Sequence, residues 1–127
     1  MKIVCLLVFS SVILLSCATT QRTDLYFGRN IPTGGQVSNE QWQHFSDSII
    51  THFFPEGYTE SDAVGKWQDT KTQVTIAEPT KVVTFVGAKS AKRNKALDSI
   101  ATAYMKMFAQ QAVLRVNAKI TMKFVSQ

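Results

Sequence analysis

Cysteine is nearly absent from this chain: it has two, Cys5 and Cys17, both within the first 17 of 127 residues. From Ala18 onward no disulfide framework is possible, so a folded domain must hold itself together by apolar packing. Histidine is as scarce, with His44 and His52 alone. On a helix, His44 points away from Trp42 into solvent and His52 lies on the flank of the core face, so the two do not converge. With no cysteine to join them, they give too few ligands for zinc, and neither a metal nor a cofactor is expected. There is no Gly-x-Ser-x-Gly elbow, and Gly34-Gly35 and Gly65-Lys66 lack the spacing of a phosphate-cradling loop. No catalytic residue is assigned. The formal charge of +5 is small and dispersed, which argues against a nucleic-acid partner.

Long apolar runs are missing as well. The longest, Ile3 to Leu15, follows the single basic residue Lys2 and falls short of the roughly 20 residues that cross a bilayer. A charged start, a short apolar core and small residues at its end mark a removable export signal. The run closes on Leu14-Leu15-Ser16-Cys17. This tetrapeptide resembles the lipobox of bacterial lipoproteins. The resemblance implies that residues 1–16 are a signal peptide, that Cys17 is lipidated and becomes the new N-terminus, and that 17–22 is a tether. The expected localisation is exported and membrane-anchored, because two or three acyl chains hold a protein durably where one does not. In a host with two membranes, Ala18 rather than aspartate after the cysteine resembles lipoproteins sent on to the periplasmic face of the outer membrane.

Residues 23–127 have the length of one domain. Asp24 to Ile31 is rich in Leu, Tyr, Phe and Ile and runs into Pro32-Thr33-Gly34-Gly35, which predicts a strand followed by a turn. Ser38 and Gln41 have the spacing of a capping box. Trp42, Phe45, Ile49 and Phe53 then recur at intervals of three and four, which places them on the core face of a helix. Phe54-Pro55-Glu56-Gly57 ends that helix. Thr59 to Gln68 reads as a second strand and Gln73 to Gly87 as a third, with Pro79 expected at a bulge or a sheet edge. Ser90 caps a second helix lined by Leu97, Ile100, Tyr104, Met107 or Phe108, and Gln111. From Val116 to Phe124, apolar and polar residues alternate with the period of a half-buried strand.

The order strand, helix, strand, strand, helix, strand predicts an α+β sandwich of the ferredoxin-like βαββαβ type, a four-stranded antiparallel sheet with two helices on one face. The first and third strands would be central, and both are apolar on both faces: Leu25 and Phe27 against Tyr26, Val83 and Phe85 against Val82 and Val86. Helices cover one face only. A second copy packed sheet to sheet, giving a homodimer, or an apolar ligand is expected on the other.

Leu25-Tyr26-Phe27-Gly28, Val37-Ser38 with Trp42 and Phe45, Phe54-Pro55-Glu56-Gly57-Tyr58-Thr59, Asp62-Ala63-Val64-Gly65-Lys66-Trp67, Glu78 with Thr80-Lys81-Val82-Val83, and Phe108-Ala109-Gln110 with Val113-Leu114-Arg115-Val116 follow one another along nearly the whole domain. This succession resembles the bacterial family called domain of unknown function 3574. The resemblance implies a small exported or lipid-anchored ferredoxin-like domain and carries over no activity.

Candidate ligand-binding residues come from strand positions, where geometry is fixed: Tyr26, Arg29, Trp67, Glu78 and Arg115. A carboxylate beside Pro79 suits a general base or an ion pair with Arg29 or Lys81. Trp67 suits stacking on a ligand or packing against cross-strand neighbours. Arg115 suits an anion site, and Gln110 to Arg115 is expected to shape the turn into the last strand. The favoured reading is a non-enzymatic envelope domain that binds a small ligand or an envelope partner. A second is a cofactor-free enzyme of the dimeric α+β barrel kind, acting on a small apolar or aromatic molecule with Glu78 or His52 as proton acceptor. A third is a module for anionic lipid or wall polymer, using Lys119, Lys123 and Arg115 with the cluster Lys89, Lys92, Arg93 and Lys95.

Overall fold

The computed structural model describes residues 18–127. The expected signal peptide and the expected lipidation of Cys17 lie outside the described residues. The chain runs through strand β1 (Thr20–Gly28), helix α1 (39–53), strand β2 (Thr59–Gln68), strand β3 (Thr75–Ala88), helix α2 (Ala91–Met107) and strand β4 (Leu114–Lys119). The strands form one antiparallel sheet in the order β2-β3-β1-β4. This is the expected ferredoxin-like α+β arrangement, with β1 and β3 central.

Register divides the side chains between two faces. Leu25 pairs with Val83 and Thr23 with Phe85. All four are fully buried, with Phe27, beneath the helices. Their neighbours Tyr26, Val82, Asp24 and Thr84 point to the other face, which no helix covers.

Helix α1 is built in three pieces: Asn39–Phe45, a π-helical segment Ser46–Ile50, and Thr51–Phe53. The capping box forms as the spacing predicts. The Gln41 amide donates to Ser38 Oγ at 3.1 Å, and the Ser38 amide to Gln41 Oε1 at 2.8 Å. The π segment corrects the reading of the core face. A π turn inserts one extra residue, so the buried stripe passes from Trp42 and Phe45 to Ile50 and Phe54. Phe53 is left 39% exposed. His52 is exposed too, and His44 faces solvent as expected.

Four aromatic rings lock the layers together. Phe45 of α1 packs on Phe27 of β1, on Trp42, and on Tyr104 of α2, at centroid separations of 5.9, 5.8 and 5.2 Å. The Tyr104 hydroxyl donates to the Gly28 carbonyl at 2.8 Å. Burial pushes that hydroxyl's pKa well above the usual tyrosine range, so it stays a donor. Trp42 Nε1 donates to Glu60 of β2 at 3.0 Å.

Pro79 sits neither at a bulge nor on an edge strand. It lies inside β3, opposite Val64 of β2. Its carbonyl accepts from the Arg29 amide at 2.9 Å, one residue past the end of β1. A residue's N–H and C=O point to the same side of a strand, so the missing donor would face the Arg29 carbonyl, which accepts instead from the Val37 amide at 2.9 Å. That acceptor is therefore not left unpaired.

The termini of the later elements also differ from expectation. Strand β3 begins at Thr75 because Gln73, at φ 60°, belongs to the hairpin turn. Helix α2 stops at Met107, Phe108 is the buried member of the Met107 and Phe108 pair, and Gln111 is exposed beyond the helix. Strand β4 spans Leu114–Lys119 rather than 116–124. It pairs with β1 from Tyr26↔Leu114 to Gln21↔Lys119. One further bond, Ile120 N–H to Thr20 O at 3.1 Å, uses up the partner strand. The alternating residues after it have nothing to pair with, and Phe124 is 86% exposed.

Candidate functional site at one end of the open sheet

The face opposite the helices carries Tyr26, Val82, Val86, Leu114, Val116 and Trp67, half-buried or exposed. A polar network crosses its middle. Arg22 Nε donates to both oxygens of Asp24 at 3.1 Å, and Thr84 Oγ1 donates to Asp24 Oδ1 at 2.6 Å.

At the end where β1 terminates, this face deepens into a cavity of about 440 Å³. Glu78 and Trp67 line it from β3 and β2, with Asn30 and Pro32 from the loop after β1 and Gln110 to Ala112 from the loop before β4. The two strands place their side chains together because Gly65 pairs with Glu78 and Trp67 with Ile76, which makes Trp67 and Glu78 diagonal neighbours on one face. Trp67 is 53% exposed.

Glu78 is held rather than loose. Its carboxylate lies directly over Gly28: a Cβ there would sit 2.5 Å from Oε1 and 2.8 Å from Cδ. The glycine is required by this close approach and not by a turn. The Asn30 amide donates to Oε1 at 3.1 Å. Among the described residues Oε2 accepts no hydrogen bond, so half of the carboxylate remains available to a ligand. Gln110 closes the far wall by donating from Nε2 to the Asn30 carbonyl at 2.9 Å. The segment from Gln110 shapes the turn before β4, as expected, and it also fixes the loop that holds Glu78.

Of the five candidate residues, two meet here. Tyr26 lies on the same face but pairs with Val82, well along the sheet. Arg29 turns to the helix side and donates to Val37 O at 2.9 and 2.6 Å and to Asn39 Oδ1 at 2.9 Å, bracing the approach to α1. Arg115 also faces α2, where it pairs with Asp98 at 2.9 Å and donates to Asn94 at 2.7 Å. The expected partnership of Glu78 with Arg29 or Lys81 does not form. Lys81 pairs with Asp62 at 2.7 Å, and that ammonium draws the Asp62 carboxyl below its usual range. The sequence alone does not mark Gly28 or Asn30 as site residues. Asn30 acts through its backbone amide, which side-chain chemistry does not reveal, and Gly28 was legible only as part of the Leu-Tyr-Phe-Gly motif.

Among the described residues no three His, Cys, Asp or Glu side chains converge as metal ligands. No described helix is long and apolar enough to cross a membrane.

Comparison with known proteins places the fold. A phage SAM lyase in complex with S-methyl-5'-thioadenosine is similar at a TM-score of 0.60 and 10% identity, over 80% of this chain and 82% of that one. The same kind of enzyme in its apo state gives 0.58 and 11%, over 84% and 92%. CutA from Synechococcus elongatus PCC7942, complexed with a Bis-Tris molecule, gives 0.49 and 6%, over 81% of each chain. At such identities the likeness to the lyases is one of fold. No curated protein matches the chain. The model of the family described as "Protein of unknown function (DUF3574)" matches residues 22–124, and the chain belongs to that family.

Proposed function

We propose that this protein is an envelope lipoprotein whose domain binds a small organic cation with an apolar or aromatic body in the cavity between Trp67 and Glu78. The observation that carries the reading is the pinned Glu78 carboxylate, fixed over Gly28 by the Asn30 amide with one oxygen left open, beside an exposed indole face. An aromatic face and a carboxylate together favour a positively charged guest. The ring quadrupole attracts the cation, and the carboxylate supplies a charge-assisted hydrogen bond or ion pair.

The binding reading is preferred to catalysis because, among the described residues, the site offers one organised carboxylate and no second acid, base or nucleophile at its wall. His52, the other proton acceptor considered, lies at the opposite end of the sheet with Phe54 and Glu56. The apolar residues of the open face, Leu114 at 59% and Val116 at 42% exposure, support a second copy packed against the sheet.

Binding is tested by titrating the chain with benzylamine and with uncharged benzyl alcohol while following Trp67 emission. The cation is expected to bind at least about tenfold more tightly, a difference of about 1.4 kcal/mol. Glu78→Gln, which keeps the shape and removes the charge, should abolish that preference. Equal affinity for both compounds in the unsubstituted chain would sink the reading.

A further inference from the structure

The end of the sheet opposite the Glu78 cavity carries a cluster of lysines, and it is also where the chain emerges from Cys17. Thr20 opens β1 opposite Ala88, and the Lys89 amide donates to Thr19 O at 2.8 Å. On the other flank Gln21 pairs with Lys119. Helix α2 begins at the same end, so Lys92, Arg93 and Lys95 stand in its first turns beside Lys89. Among the described residues Lys89, Lys92, Lys95 and Lys119 make no ion pair, and all four are exposed. Glu56 is the one acidic residue lining the hollow there.

The hollow measures about 760 Å³ and mixes chemistries. Phe53, 39% exposed, gives it an apolar wall, and Lys92 and Lys95 stand at its rim. Arg93 lies over the Phe54 ring at 5.2 Å, with its Nε and Nη2 buried and, among the described residues, without hydrogen-bond partners. Cys17 precedes Thr20 by three positions, a reach of about 10 Å for extended chain.

We infer that this basic end is a docking surface for an anionic lipid bilayer, with Lys89, Lys92, Lys95 and Lys119 against the headgroups and Phe53 toward the acyl region. The inference rests on reading Cys17 as the lipid anchor, which brings this end and no other within reach of the bilayer. Charge complementarity then sets the orientation, because lysines near an anionic leaflet are attracted over a Debye length of about 10 Å. Strand β1, nine residues at about 3.3 Å each, carries the Glu78 cavity some 25–30 Å away from the membrane, where solutes reach it.

The test uses the full chain bearing Phe53→Trp, reconstituted into vesicles of brominated phosphatidylcholine with or without phosphatidylglycerol. The intact mass of the protein reports separately whether Cys17 is acylated, so failure of the anchor and failure of docking are read apart. Quenching of the new tryptophan is expected to be at least about twofold stronger in anionic vesicles. It should fall to the neutral-vesicle level in salt on the order of 0.5 M, where screening is short-ranged, and in the Lys89→Gln, Lys92→Gln, Lys95→Gln variant. The chain with Phe53 in place should show little quenching, because Trp42 is buried and Trp67 lies at the far end. Equal quenching in neutral and anionic vesicles would overturn the inference, and so would quenching of Trp67 in its place.

Discussion

Phe45→Ala is expected to unfold this domain at ordinary growth temperatures or bring it close to unfolding. Phe45 is fully buried where α1, β1 and α2 meet, with ring neighbours Phe27, Trp42, Tyr104 and Phe108 between 5.2 and 6.2 Å away. Truncating a buried phenylalanine costs about 3–5 kcal/mol through lost transfer energy and the cavity left behind. Total stability of a single domain is about 5–15 kcal/mol, and no disulfide is available in residues 18–127 to limit the damage. For a domain of this length the midpoint should fall by roughly 15 °C or more, read by thermal denaturation followed by circular dichroism. A shift of only a few degrees would show that the aromatic cluster is not what joins the layers. Phe53→Ala, about two turns later and exposed just past the π segment, serves as the control and should change the midpoint little.

Gly28→Ala should do the reverse, sparing stability and disabling the site. The new methyl would sit 2.5 Å from Glu78 Oε1, and the nearest atoms are all in the flexible end of that side chain. The carboxylate can swing away, losing the Asn30 hydrogen bond at a cost of about 1–2 kcal/mol. The ligand then loses its anchored charge. Affinity for benzylamine is expected to drop at least about tenfold, equivalent to about 1.4 kcal/mol, while the fold persists. A variant that binds normally would show that the contact between Gly28 and Glu78 has no part in recognition.

How far the sequence could be read depended on whether a feature was local. The capping box at Ser38, the bounds of β2 and the central positions of β1 and β3 were legible because spacing and alternation are properties of neighbouring residues. The π segment was not, since Ile49 and Ile50, and Phe53 and Phe54, are equally apolar and only tertiary packing decides which of each pair is buried. The alternation from Val116 to Phe124 overran its strand because a period of two says nothing about where the partner strand ends. Within the site, Trp67 and Glu78 were named from chemistry. Arg29 and Arg115 were named on the same grounds, yet they brace helices, because a residue's face is set by register across strands rather than by its type. The contribution of Gly28 and of the Asn30 amide is a backbone property and left no chemical trace.

A native mass spectrum of the full chain, purified gently beside the Glu78→Gln variant, tests the central claim most directly. A small basic molecule that travels with the unsubstituted protein, is released on denaturation and is missing from the variant is the predicted result. A spectrum of the unsubstituted protein with no such mass, or an adduct that persists in Glu78→Gln, would contradict it.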